Sequence, residues 1–251
     1  MDVFAAYEAT RDRIISVALD ASDGELGARV PSCPEWTAHD LVAHCAGIPT
    51  ALTAGAGPTG DIQAWLDGIV TARREVPVAT LAEQWRGCGE AVRPIVEGSG
   101  GMLVVDVLTH EHDLRGALGR PGDRDAPELR AGLQLFADLL AGHVATEGLA
   151  PFAVECPDGT TARSGDGEPG WTLLVDPWEA TRVLGSRRTA AEVLAAPARG
   201  DAQPTWRCSR VTFPSPRSPS ASGSRLSCPA RAALVRGDPW GPSTAGPAPG
   251  S

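Results

Sequence analysis

Through the first 148 residues, apolar side chains keep returning three and four positions apart, and the rhythm stops at Gly148-Leu149-Ala150-Pro151. That spacing gathers apolar groups on one face of a helix, and the face needs a partner to cover it. Val3, Phe4, Tyr7, Ile14, Ile15 and Leu19 predict a first helix ending near Asp20 to Gly24. Pro31 and Pro34 forbid a helix just beyond. Thr37 with Asp40 then forms a capping-box pattern, so a second helix is predicted from Thr37 to about Thr53. Ile62, Trp65, Leu66, Ile69 and Val70 predict a short helix before Pro77. Leu81, Trp85, Cys88, Val92 and Ile95 predict another, and Gly98 to Gly101 interrupts the chain before a helix carrying Asp106. Leu129, Leu133, Phe136, Leu140 and Val144 complete the series. Residues 1–148 therefore read as a helical bundle, whose interior is where facing helices build metal and cofactor sites.

The pattern then changes. Phe152 to Cys156, Thr160 to Arg163 and Trp171 to Val175 are short enough for strands and are separated by Pro-Asp-Gly and Gly-rich turns. Asp176-Pro177-Trp178-Glu179 starts a helix that Gly185 can end, and Thr189 to Glu192 is a further capping box. Residues 149–200 are thus expected to form a small α+β domain. Residues 201–251 hold nine Pro, nine Ser and six Arg against two acidic residues, a net charge of +4, whereas residues 1–200 carry −13. A segment of this composition lacks the apolar groups for a core, and disorder is expected. Its abrupt loss of Glu also suits a shifted reading frame of GC-rich DNA.

All 22 basic residues are arginine, and the net charge of −9 argues against a nucleic-acid partner, which needs a basic face. The N-terminus lacks a positive start followed by an apolar run, and no stretch approaches the ~18 to 20 apolar residues of a membrane span. A cytoplasmic protein acting on small molecules is expected, without membrane association. The six cysteines form no C-x-x-C pair and are expected to be reduced. Cys33 and Cys45 flank a candidate site, as ligands or, more simply, as small buried thiols. No serine-hydrolase elbow, phosphate-binding loop or dinucleotide fingerprint occurs.

Three polar residues interrupt the apolar stripes. On the second predicted helix His44 shares a face with Leu41, and His39 points away from it. On the helix after Gly101, His110 falls in series with Leu103, Val107 and Leu114, and Asp106 stands four residues before it on the same face. His112 projects almost oppositely to His110, so the cluster His110-Glu111-His112-Asp113 cannot all serve one ion. Spacing alone leaves two readings open: hydrogen-bonded core histidines, or two imidazoles and a carboxylate converging on a divalent metal.

The segment Val-Pro-Ser-Cys-Pro-Glu-Trp-Thr-Ala-His-Asp-Leu-Val-Ala-His, from Val30 to His44, resembles the signature of the mycothiol-dependent maleylpyruvate isomerase family, one of the DinB-like metal-binding bundles. The segment from Asp106 through His110 and Asp113 to Gly119 resembles its second signature. The resemblance covers about residues 1–195. It implies a DinB-like four-helix bundle followed by a small α+β C-terminal domain. It also implies a divalent metal such as Zn²⁺ held by His44, Asp106 and His110, with Asp113 beside them; Asp113 is expected to orient a ligand or the helix, or else to be a solvated carboxylate on the helix surface. The family's carboxylate is commonly Glu, so Asp106 is one methylene shorter. The implied chemistry is that of an enzyme using mycothiol: a metal-activated thiolate adds to a small electrophile, giving isomerisation or S-transfer. The alternative is a non-catalytic metal- or ligand-binding bundle with a regulatory or partner-binding role. Two imidazoles and one carboxylate also suit Ni²⁺, Co²⁺, Fe²⁺ or Mn²⁺.

Overall fold

In a computed structural model, residues 2–202 are described. The disorder and shifted frame expected for the tail fall on residues outside these, from 203 onward. The described chain is mostly helical, with a small sheet in its C-terminal part. Helix α1 spans Val3–Leu19, α2 Asp23–Leu26, α3 Ala38–Thr53, α4 Ile62–Thr71, α5 Val78–Gly87, α6 Arg93–Gly98, α7 Met102–Ala117 and α8 Pro127–Thr146. Strands β1 (Arg29–Val30) and β2 (Cys33–Thr37) pair antiparallel ahead of α3. Strands β3 (Phe152–Glu155), β4 (Thr161–Arg163) and β5 (Trp171–Leu173), helices α9 (Pro177–Leu184) and α10 (Ala190–Ala195), and strand β6 (Ala198–Gly200) complete it.

The order across the second sheet is β4-β3-β5-β6, with β3 and β5 parallel and the other two pairs antiparallel. Sequence reasoning missed β6, whose residues lack strand-forming side chains; it is held by pairing with β5. Beyond it the Asp201 N–H donates to the Gly170 carbonyl and Ala202 is buried, so ordered packing continues past residue 200. The stripe from Leu81 to Ile95 is also not one helix. It divides into α5, a 3-10 turn at Gly89–Val92 and α6, because Gly89 takes a left-handed φ of 45° and Pro94 lies just after the turn.

Burial is deepest around α7, which packs against α1, α3 and α8. Residues 103–105 and 107–114 of this helix are all buried, so it is covered on nearly every side until its last turn. Each large apolar side chain placed in this core contributes roughly 1.5–3 kcal/mol relative to exposure. Close approach of α8 depends on Gly132, where a Cβ would run into the Leu108 side chain. At the entry to α7, Gly101 takes a φ of 86°, a conformation that strains any L side chain. The C-terminal elements lie over α8 and reach α7 through the side chains of α9 and the turn after it. Among the described residues, no helix is long and apolar enough to cross a membrane.

Candidate metal centre

The capping box at the start of α3 forms: Thr37 Oγ1 accepts from the Asp40 N–H at 3.1 Å, and Asp40 Oδ2 accepts from the Thr37 N–H at 3.1 Å. Arg74 Nε donates to Asp40 Oδ1 at 3.0 Å and ties this helix start to the segment after α4. With the register fixed, Leu41 and His44 turn inward. His39 points elsewhere, its Nε2 lying 2.8 Å from the Val76 carbonyl. It lines a cleft with Asp40, Arg74 and Glu75 that does not include the three candidate ligands.

His44, Asp106 and His110 come together between α3 and α7. His44 Nε2 and His110 Nε2 each lie 3.4 Å from the same atom, Asp106 Oδ1. One donor atom from each residue falls within 4.8 Å of the others. Ligands at about 2.0–2.2 Å from one tetrahedral ion stand about 3.3 Å from each other, so the two nitrogen–oxygen separations fit a divalent cation. Both histidines are essentially inaccessible, and the Asp106 side chain keeps 10% of its surface. Trp36, at the end of β2, lies over both imidazoles, its ring centroid 4.8 Å from that of His44 and 6.1 Å from that of His110. Burial would raise the Asp106 pKa, but His44 and His110 beside it hold it far below the usual carboxylate range. Burial likewise works against charge on His110, yet Asp106 and Asp113 hold its pKa up to about 9.

Of the four polar residues from His110 to Asp113, Glu111 and His112 turn away from His110, while Asp113, three positions on, returns to its side. His110 faces Asp106. Glu111 takes Arg13 of α1 in a bidentate pair at 2.9 Å and Arg115 at 3.1 Å. His112, expected on the far side, is buried too, because α9 covers that side; its ring stands edge-on to Trp178 at 6.0 Å. Burial, reinforced by Arg182 and Arg115, drives the His112 pKa down to about 3 and keeps it neutral. Asp113 is fully enclosed rather than solvated on the helix surface, because α9 and the turn after it cover it, and its Oδ2 lies 3.2 Å from His110 Nδ1. Burial alone would favour its neutral form, but Arg187 and Arg182 hold its pKa well below the ordinary value.

Cys33 and Cys45 are buried near the site but outside the convergent group, and no disulfide joins cysteines 33, 45, 88 and 156. Burial, followed by the charges of Asp106 and Asp113, pushes the Cys45 thiol well up. It fills space as a neutral thiol. Sequence reasoning gave no role to Trp36, Arg182 or Arg187. Trp36 sits inside the first motif and was within reach; the arginines lie some seventy residues from Asp113, where no spacing rule operates.

The family model for the mycothiol maleylpyruvate isomerase N-terminal domain matches residues 7–93. The chain belongs to this family. The matched stretch includes His44 and ends before Asp106 and His110, so the second half of the site rests on the geometry above. Two uncharacterized proteins of Mycobacterium tuberculosis, from strains CDC 1551 / Oshkosh and ATCC 25618 / H37Rv, are each 30% identical over 165 residues. Each alignment covers 62% of this chain and 89% of the relative. No solved structure matches the chain.

Proposed function

We propose that the chain is a metal-dependent enzyme that uses mycothiol as a thiol cofactor in isomerisation or S-transfer on a small electrophile. The observation that carries this reading is the meeting of two imidazole Nε2 atoms on one carboxylate oxygen at 3.4 Å each. Three lone-pair donors this close repel one another unless a cation or a proton lies among them. In this reading His44, Asp106 and His110 hold the ion, most simply Zn²⁺, and Asp113 orients His110. The bound ion would favour the thiolate form of a thiol brought beside it near neutral pH. Trp36 excludes water from the imidazoles, and Asp106, the most accessible of the three, marks the side from which a thiol enters. The functional unit is the helical bundle of residues 1–148 with the α+β domain of 149–200 docked on it. A reduced low-molecular-weight thiol implies a cytoplasmic setting.

The test is turnover of a panel of small electrophiles, including activated cis alkenes, with mycothiol, with another thiol and with none. Turnover that needs both metal and mycothiol is expected. Retained metal with no thiol-dependent turnover would favour a non-catalytic binding bundle instead, a reading supported by the near-complete enclosure of both histidines.

A further inference from the structure

Asp113 binds two arginines that come from outside the helical bundle. Arg182, on α9, donates from Nη2 to Asp113 Oδ1 at 2.6 Å and from Nη1 to the Thr109 carbonyl at 3.1 Å. Arg187, in the turn after α9, donates to Asp113 Oδ2 from Nη2 at 2.6 Å and from Nε at 3.1 Å. That turn is itself held: Arg187 Nη1 donates to the Gly185 carbonyl at 2.8 Å, and Ser186 takes a left-handed φ of 59°. A Cβ at Gly185 would stand 3.4 Å from the Phe136 ring and 3.5 Å from the Thr109 hydroxyl, so the end of α9 lies close against α7 and α8. All three charged groups are buried, so none of these contacts is the screened kind found on a surface.

We infer that Arg182 and Arg187 are positioning residues for the metal centre: they clamp the Asp113 carboxylate, whose Oδ2 stands 3.2 Å from His110 Nδ1, and so hold the imidazole with Nε2 toward Asp106. This rests on the metal reading above. The imidazole can rotate about its bond to the helix and can carry its proton on either nitrogen. A fixed carboxylate beside Nδ1 limits both freedoms, because it favours a proton on that nitrogen and leaves Nε2 to a cation when one is bound. Asp113 by itself could swing about its own side-chain bonds; a guanidinium on each carboxylate oxygen prevents that. The Arg182 contact to the Thr109 carbonyl anchors the backbone of the residue just before His110. The C-terminal elements therefore complete the metal centre without contributing a ligand to it.

The test is Zn²⁺ affinity of the full chain, measured by competition with a chromophoric chelator, with the visible spectrum of the Co²⁺-loaded protein as a report on ligand geometry. The variants are Arg182→Met with Arg187→Met, the single Arg187→Lys, Asp113→Asn, and Arg13→Met as a control that breaks a partly buried ion-pair network with Glu111 and Glu128 on the same helices. We expect roughly 10–100-fold weaker Zn²⁺ binding and an altered Co²⁺ spectrum in the double variant and in Asp113→Asn. Arg187→Lys, which keeps the charge and loses the fork, should fall between these and wild type, and it decides the matter if the double variant does not fold. Arg13→Met should keep wild-type affinity. Removing positive charge alone would tighten cation binding, so unchanged or tighter Zn²⁺ binding in the folded arginine variants would overturn the inference while leaving the metal site standing. Equal weakening by Arg13→Met would reduce the effect to general destabilisation and overturn it too. A folded wild type that takes up no Zn²⁺ would remove the metal reading itself, and this inference with it.

Discussion

Asp106 Oδ1 is the atom on which two imidazoles converge, so the charge at this point decides what the site can hold at each pH. With no metal bound, the proton on His110 is the cation that satisfies Asp106, which is why the His110 pKa stands at about 9 rather than near 6.5. A raised folded-state pKa contributes stability that is complete below 6.5 and is lost as pH rises through about 9. Asp106 acts in the opposite sense: its depressed pKa contributes stability above the ordinary carboxylate value, which is lost as pH falls. The chelated protein should therefore lose on the order of a few kcal/mol between pH 6 and pH 9.5, seen as a fall in denaturant midpoint. His110→Ala should flatten that dependence. Metal uptake should show the reverse trend, tightening as pH rises, because the ion displaces the proton. A chelated wild type equally stable at both pH values would contradict this arrangement of charge.

The helices that carry these residues are set by local rules that single substitutions can test. Within α8, Gly132 faces the Leu108 side chain with no room for a Cβ, whereas Gly142 has open space around it. Gly132→Ala should cost roughly 1–3 kcal/mol through overpacking, and Gly142→Ala should gain about 0.5–1 kcal/mol through helix propensity. Thermal melts of the two variants beside wild type check the pair, and the signs should be opposite. Thr37→Ala should cost about 1 kcal/mol by removing the cap that starts α3. The same local rules explain what could be read in advance. The caps at Thr37, Asp176 and Thr189 and the stripe of α8 follow from short-range spacing, and all appear as expected. The pairing of Asp106 with His110 is likewise a four-residue relation on one helix. Other features depend on partners far away in the chain. Strand β6 exists only through β5, and the burial of His112 follows from the position of α9, which no pattern around residue 112 encodes. The clamp of Arg182 and Arg187 on Asp113 is of the same kind.

Across the molecule, α3 and α7 are brought together by apolar packing and by the polar group between them, so a bound ion would join two helices whose site residues lie 62 positions apart. Any ligand that binds only the folded state stabilises it; free metal at about a thousand times its Kd is worth about 4 kcal/mol. For a folded unit of this size that corresponds to roughly 8–16 °C in Tm. Adding a chelator should lower the Tm of wild type by that order and leave His44→Ala unchanged. The most direct measurement is elemental analysis of protein purified without chelator or affinity metal, wild type beside His110→Ala, with circular dichroism to establish that both are folded. We expect close to one divalent metal per chain in wild type and little in the variant. A folded wild type that holds no metal even after reconstitution, or a His110→Ala variant that holds as much as wild type, would contradict the assignment of His44, Asp106 and His110 as a metal centre.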